Sequence, residues 1–156
     1  MKILILALAM LCANTGTAFA QKLTKAERKA KKQERIDEEK ALIKQMYETA
    51  TFTFVPNEVT LPAKTPVVIT DYQSLTLKPD YLNIEMLYIP STSTPLFKIV
   101  SNETTKTGYK MVVDTEINSI ECTLTFTTNI TTGSTKLILT QNAWNGYTYK
   151  GVINAN

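Results

Sequence analysis

The sequence contains no histidine, so it lacks the side chain that most often moves protons near neutral pH. A Ser-His-Asp triad, a Cys-His pair and a metal site with imidazole ligands are therefore excluded. The chain has only five glycines, and neither a Gly-x-Gly-x-x-Gly motif nor a Walker loop is present. These absences predict that the protein is not an enzyme and that it uses no cofactor.

Only one long apolar run occurs, and it lies at the N-terminus. Met1-Lys2 form a short basic start, Ile3–Leu11 are apolar, and Ala18-Phe19-Ala20 match the small-x-small pattern of a cleavage site. This combination is typical of a secretory signal peptide, and the run is too short to span a membrane. We predict a signal peptide over residues 1–20, cleavage after Ala20, no transmembrane segment in the mature chain, and a periplasmic or secreted protein.

Cysteine is equally scarce, because Cys12 lies within the predicted signal peptide and Cys122 is the only other one. The mature monomer therefore cannot form an intrachain disulfide. A lipid anchor at Cys12 is a weaker alternative for the N-terminus, since Leu11 is bulky where bacterial lipoprotein signals usually have a small residue. Cys122 has the strand parity of Ile120 and Leu124, which predicts a buried core residue. The competing hypothesis, a thiol nucleophile, needs a nearby base, and the chain has no histidine to serve as one.

Carboxylates are the remaining candidates for catalysis, since a pair of them can support glycoside hydrolysis. The candidates on or beside predicted strands are Glu85, Asp114, Glu116 and Glu121. Glu85 and Glu121 have outward strand parity, and Asp114 lies outward at a strand end. We therefore interpret all four as solvated surface residues. We assign no catalytic, cofactor-binding or metal-binding residue, and the residues of a binding site are unknown.

A charged helix is predicted over residues 21–50. Thr24-Lys25-Ala26-Glu27 is a capping box, and helix-forming residues continue without Gly or Pro to about Ala50. The segment Gln21–Arg35 has seven cationic and two anionic residues, a net charge of +5, and almost no apolar stripe. The second half of the helix has a stripe that should dock on the rest of the protein. Its members are Ile36, Leu42, Ile43, Met46 and Tyr47.

The basic first half of this helix has two interpretations. A soluble, solvated spacer is the favoured one, because charge runs beside a domain are usually solvated. Contact with an anionic surface such as phospholipid headgroups is the alternative. Nucleic acid is not expected as a partner, because the protein is predicted to be exported and no aromatic residue interleaves the basic run.

From residue 51 to 156 the apolar period changes to two, which indicates strands with one buried face. About nine or ten strands follow with short links, and no link can hold the helix of a parallel crossover. The predicted fold is mainly β (α+β): an N-terminal helix, then a curved antiparallel sheet that is sandwich- or barrel-like. We expect a turn at Pro56-Asn57, a strand over Tyr81–Ile89 with Tyr88 inward, and a strand over Leu96–Val100 with Ile99 inward.

The strongest alternation lies in the last third of the chain. A turn centred between Thr131 and Thr132 would pair Phe126 with Leu137 and Leu124 with Leu139. All four side chains would then lie on one face of the sheet.

The next turn has two solutions. A two-residue loop, Asn145-Gly146, would point Lys150 inward. A three-residue loop, Trp144-Asn145-Gly146 with Gly146 left-handed, would pair Leu137 with Ile153, bury Ile153 and expose Lys150. We predict the three-residue loop.

Three segments carry a resemblance to a known family: Phe52-Thr53-Phe54, Leu87-Tyr88-Ile89-Pro90, and Gly146–Ile153. The chain resembles the exported Bacteroidetes proteins grouped as domain of unknown function 4251 (DUF4251). The resemblance covers residues 22–153 and implies a helical lead, a β-rich body and a place in the cell envelope, but no activity or ligand. It departs from the family at Ile89-Pro90-Ser91, where the family tends to have a glycine after the aromatic residue.

Two classes of function remain. The first is a non-catalytic binding or interaction module of the periplasm or cell surface, with an unknown protein as its partner. The second is a carrier that holds an apolar small molecule or lipid inside a curved sheet. Inward Phe, Leu, Ile and Met residues suit a filled core as well as a ligand cavity, so we prefer the interaction module.

Overall fold

A computed structural model describes residues 24–141 and 146–156. The predicted signal peptide, its cleavage after Ala20 and the alternative lipid anchor at Cys12 lie outside these ranges. The described residues belong to two units, which divide between Lys32 and Gln33. One helix is followed by ten strands: α1 (Lys25–Thr49), β1 (Phe52–Thr60), β2 (Val67–Val68), β3 (Ser74–Leu77), β4 (Leu82–Glu85), β5 (Thr92–Thr94), β6 (Phe97–Thr104), β7 (Gly108–Ile117), β8 (Ile120–Asn129), β9 (Ser134–Gln141) and β10 (Thr148–Asn154).

Helix α1 begins with the predicted capping box. The backbone N–H of Thr24 donates to Glu27 Oε2 at 2.6 Å, and the N–H of Glu27 donates to Thr24 Oγ1 at 3.3 Å. The backbone N–H and the hydroxyl of Thr24 hold the pKa of Glu27 below its usual value, because they hydrogen-bond the charged carboxylate. Residues 25–35 are exposed throughout, as the missing apolar stripe predicts.

The second half of α1 docks as predicted, through a narrower stripe. Ile43, Met46 and Tyr47 are buried, whereas Ile36 is half-buried and Leu42 stays exposed. The spacing of the three buried residues places them on one side of the helix. The prediction of a docking second half is therefore confirmed, with fewer contributors than the pattern suggested.

The ten strands form one antiparallel sheet that curls into a nearly closed barrel. Along the sheet the strands follow the order β5-β4-β3-β1-β10-β9-β8-β7-β6, and β2 adds to β1 beside this path. The two edges of the sheet, β5 and β6, are joined only by Pro95-Leu96. The predicted fold class is confirmed, and the barrel alternative is the correct one.

Alternate side chains of the strands fill the barrel, and Tyr47 of α1 completes the core. The ring of Tyr47 stacks on Phe52 at 5.7 Å and on Tyr109 at 5.2 Å between ring centroids. Its hydroxyl lies 2.8 Å from Thr128 Oγ1, which lies 2.7 Å from Thr135 Oγ1. Burial raises the pKa of Tyr47 to about 12, although its hydrogen bond to Thr128 opposes the shift.

The hairpin of β8 and β9 has the predicted register. Phe126 pairs with Leu137 and Leu124 pairs with Leu139, and all four side chains are buried. The Asn129 side chain accepts backbone N–H groups inside the turn, which is the usual turn chemistry of asparagine. The alternation of apolar residues and the turn residues were sufficient to predict this register.

The predicted register of the last hairpin is wrong. Leu137 pairs with Tyr149 rather than with Ile153, although Ile153 is buried and Lys150 is exposed as expected. The backbone of Gly146 lies so close to the Leu139 carbonyl that a Cβ at this position would overlap it. Gly146 therefore permits close packing on β9, and the connection is longer than three residues. Residues 142–145 of the predicted loop lie outside the described ranges.

Two other local predictions are also wrong, and the inward placement of Ile99 is confirmed only in its register. No turn occurs at Pro56, because β1 continues through it with a bulge between Pro56 and Glu58; a bulge tolerates the missing N–H of proline. Strand β4 ends at Glu85, so Tyr88 lies in a turn instead of pointing inward. Ile99 has inward register but is 37% exposed, because β6 forms an edge of the sheet.

Candidate interaction surfaces

An open groove of about 510 Å³ lies across β6, β7, β8 and β9. Three of the four candidate carboxylates and Cys122 line it together. The complete lining is Leu96, Phe97, Lys98, Asp114, Thr115, Glu116, Glu121, Cys122, Thr123 and Thr140. Glu85 lies elsewhere, on β4, where it accepts a hydrogen bond from Asn83 Nδ2 at 3.3 Å.

The carboxylates of this groove are surface groups with ordinary strand partners. Asp114 accepts a hydrogen bond from Thr123 Oγ1 at 2.7 Å, and Glu116 lies directly opposite Glu121 in the β7–β8 ladder. All three carboxylates are exposed. Within residues 24–141 and 146–156, no group of three Asp, Glu, Cys or His side chains is placed to hold a metal ion. The groove therefore presents three exposed carboxylates beside Lys98.

Cys122 occupies the core position predicted from its parity. Its side chain is 4% exposed, and Sγ donates a weak hydrogen bond to the Ile120 carbonyl at 3.3 Å. Burial raises the pKa of the Cys122 thiol, because the thiolate would lose its hydration. The thiolate is the nucleophilic form, so this environment disfavours the nucleophile hypothesis.

A second surface is formed by aromatic and apolar side chains around the turn after β4. We name Tyr72, Leu87, Tyr88 and Tyr147 the aromatic patch. Tyr72 is 80% exposed, Tyr88 is 47% exposed, Leu87 is also exposed, and Tyr147 is partly buried. The Tyr88 ring stacks on the Tyr147 ring at 5.9 Å between centroids. The Gln73 side chain bonds the Leu87 backbone, so the segment that carries Tyr72 lies beside this turn. The patch therefore combines residues from three separate segments of the chain.

Hydrogen bonds to the Leu87 backbone hold the aromatic patch in place. The Leu87 N–H donates to Gln73 Oε1 at 2.6 Å, and its carbonyl accepts a hydrogen bond from the Tyr149 hydroxyl. Tyr149 is fully buried and packs edge-on against Tyr147 at 6.4 Å. Burial raises the pKa of Tyr149, and the neighbouring Tyr147 and Tyr88 raise it further. The Tyr149 hydroxyl therefore stays protonated and remains a donor at physiological pH.

The turn itself presents Tyr88 in a strained conformation. Its φ is 66°, a left-handed value that costs a residue with a Cβ roughly 1–2 kcal/mol. The Ile89 N–H closes the turn by donating to the Met86 carbonyl at 3.2 Å, and both of these side chains are buried. Sequence reasoning placed Tyr88 inside the barrel. The available signal was the departure from the family pattern at Ile89-Pro90-Ser91, which directly follows Tyr88.

The basic half of α1 is a third exposed surface. In the described part of the chain, ion pairs join Lys44 to Glu48 at 3.7 Å and Lys150 to Glu58 at 2.6 Å, and neither involves residues 25–35. The cationic side chains of this segment are thus solvated. This arrangement agrees with the spacer interpretation of the segment.

Comparison with known proteins identifies the fold. Neither a family model nor a curated protein matches the sequence. Among solved structures, the chain is similar to the crystal structure of a DUF4251 family protein from Bacteroides eggerthii DSM 20697, with a TM-score of 0.59. The likeness covers 75% of this chain and 87% of that one, at 10% sequence identity. The chain has the DUF4251 fold. The resemblance inferred from the sequence is confirmed for the fold, and it assigns no activity or ligand.

Among the described residues, no helix combines the length and the apolar character that crossing a membrane requires. Helix α1 is long enough at 25 residues but is charged along its length. The candidates for function are the acidic groove, the aromatic patch and the basic half of α1.

Proposed function

We propose that this protein is exported to the cell envelope and acts there as a non-catalytic interaction module, with the aromatic patch as its contact surface for a protein partner. The observation that carries the proposal is that the exposed Tyr88, on a turn held by buried side chains, stacks on the partly buried Tyr147. The N-terminal signal-peptide pattern supports export. Tyrosine is enriched at protein interfaces, where its ring provides apolar area and its hydroxyl a polar contact.

Preorganisation is the reason to prefer this patch over other exposed apolar residues. Tyr149 and Gln73 bond both backbone groups of Leu87, so the turn is ordered before a partner arrives. Binding through such a surface loses less conformational entropy than binding through a free loop. Strain like that at Tyr88 is often retained where a side chain must be presented for function.

The filled interior of the barrel supports this choice over a carrier. Phe52, Phe54, Leu75, Leu124 and Phe126 face the interior and have no accessible surface. A void large enough for water beside any of them would give that side chain accessible area. Ligand pockets for small molecules usually occupy 300–1,000 Å³, and the space around these five side chains is occupied by protein atoms.

Site-specific photocrosslinking in the native envelope tests the proposal. We would place a photoreactive phenylalanine analogue at Tyr72 or at Tyr88, with Tyr81 as the control position outside the patch. The expected result is one protein adduct that forms from both patch positions and not from the control. Tyr88→Ala in the Tyr72-labelled chain should abolish that adduct.

Two results would overturn the proposal. The first is equal crosslinking from Tyr81 and from the patch positions, which would mean that the contact is nonspecific. The second is a lipid or other apolar molecule that co-purifies at one equivalent in native mass spectrometry, which would favour the carrier.

A further inference from the structure

The two edges of the sheet differ in how well they are protected. Strand β5 is three residues long and lies between Pro90 and Pro95, and proline on an edge prevents further pairing. Strand β6 is eight residues long, and six of its residues are exposed. Because β6 ends the strand order, one side of its backbone has no strand partner within the described residues. Such an edge is a template for another strand.

The wall of the barrel is open beside this edge. Ile99 has inward register, since it pairs with the buried Val113, yet it is 37% exposed. Val100 is also exposed, so the edge presents apolar area as well as backbone groups. Helix α1 reaches β6 at Asn102, whose Nδ2 donates to the Tyr47 carbonyl at 2.6 Å.

A bulge sets the charge pattern of β6. The register with β7 shifts between Ile99 and Ser101, so residues on either side of the bulge change parity. As a result Lys98 and Glu103 lie on the same, outer face, although they are five positions apart. Lys98 lies opposite Asp114, and Glu103 lies opposite Lys110. Each end of β6 therefore carries one exposed charge of opposite sign on the same face.

We propose that β6 pairs antiparallel with β6 of a second copy of this chain, about a two-fold axis at the bulge. In that arrangement Lys98 of each copy lies opposite Glu103 of the other, so two complementary pairs form by symmetry. Across the joined sheets the outer-face charges would alternate in the order Asp114, Lys98, Glu103, Lys110. Opposite charges stabilise directly opposed strand positions, and like charges destabilise them.

The same pattern selects a second copy over an unrelated extended peptide. Any extended strand could pair with the free backbone groups equally well. A second β6 that runs antiparallel also places Glu103 opposite Lys98 and Lys98 opposite Glu103, so its charges match. The dimer does not depend on the proposed function, because the aromatic patch uses the β2–β3 and β4–β5 connections and the segment before β10. Loss of one would leave the other intact.

Charge reversal tests the register. We would measure the oligomeric state by sedimentation equilibrium on the chain expressed with its own N-terminal segment. Lys98→Glu places two like-charged pairs at the axis, and Glu103→Lys does the same with the opposite sign. Each variant should weaken dimerisation about tenfold or more. Lys136→Glu, on the outer face of β9, is the matched control and should leave the dimer unchanged.

Mixing separates the intermolecular effect from changes within one chain. Each single variant also opposes a charge on its own β7, but only a heterodimer of Lys98→Glu with Glu103→Lys restores both pairs across the axis. We expect the mixture to regain the wild-type dimer affinity. A wild-type chain that stays monomeric at several hundred micromolar would overturn the proposal. In that case the bulge and Lys98 would serve to prevent other strands from pairing with β6. Variants that dimerise like wild type, or a mixture that does not recover, would overturn it equally.

Discussion

The phenolic oxygen of Tyr47, in the helix, lies 2.8 Å from the hydroxyl of Thr128, which is 81 residues further along the chain on β8. Thr128 in turn bonds Thr135 on β9. This short chain of hydroxyl groups is a buried polar contact that connects the docked half of α1 to the barrel. Its members satisfy one another, so each of these three hydroxyl groups keeps a partner when the helix docks.

The buried tyrosines predict a loss of stability at alkaline pH. The pKa of Tyr47 is about 12 in the folded state, against 10.0 for an unperturbed tyrosine, and the pKa of Tyr149 is also raised. The folded state therefore holds these protons more tightly than the unfolded state. The stability that they contribute is fully present below about pH 10 and is lost as the pH rises through 12.

Urea denaturation at pH 8, 10 and 11.5 measures this effect, with Tyr47→Phe as the matched variant. The variant should lose about 1 kcal/mol at pH 8, because the hydroxyl bond is removed. Its free energy of unfolding should then decline less steeply above pH 10 than that of the wild type. Parallel pH dependence in the two proteins would show that Tyr47 does not contribute.

Sequence reasoning succeeded where the deciding interactions are local. The capping box at Thr24 and Glu27 and the hairpin that pairs Phe126 with Leu137 each depend on a few neighbouring residues. Their residue patterns therefore carry the structure directly. The same is true of the core position of Cys122, which follows from alternation.

Sequence reasoning failed where the local structure depends on backbone atoms that are distant in the chain. The register of β10 depends on Gly146 lying against the Leu139 carbonyl, and the path of β1 through Pro56 depends on a glycine in the facing strand. Tyr88 was misplaced because the turn that exposes it is held by Tyr149, 61 positions later. The candidate surface could not be assembled from sequence, since its three segments meet only in the folded barrel.

Replacement of Cys122 should affect stability and nothing else. Cys122→Ala removes a small buried side chain, so we expect a loss of about 1 kcal/mol in the free energy of unfolding. Crosslinking through the aromatic patch should be unchanged, because Cys122 does not belong to it. Alkylation of the native protein should be slow compared with alkylation in urea; rapid reaction in the native state would contradict the buried position.

Removal of Gln21–Arg35 should leave the barrel folded. The described part of this segment is exposed and contributes little apolar burial. We expect the thermal midpoint to fall by less than about 5 °C, which corresponds to roughly 1 kcal/mol for a chain of this size. Tyr47→Ala is the contrasting variant, because it removes the docked ring and should cost about 3–5 kcal/mol. A large drop on truncation would mean that the basic half of α1 has a structural role.

Gly151 should be the least replaceable residue of the last strand. It faces β1 beside the bulge, where a Cβ would overlap the Val55 carbonyl and lie 2.8 Å from the Cα of Pro56. These are backbone atoms of paired strands, so they cannot move aside as a flexible side chain can. Gly151→Ala should therefore destabilise the protein by about 2–3 kcal/mol through overpacking. Val152→Ala, at the exposed neighbouring position, should cost less than about 1 kcal/mol. Urea denaturation of both variants makes the comparison, and equal stability would contradict the close approach of β10 to β1.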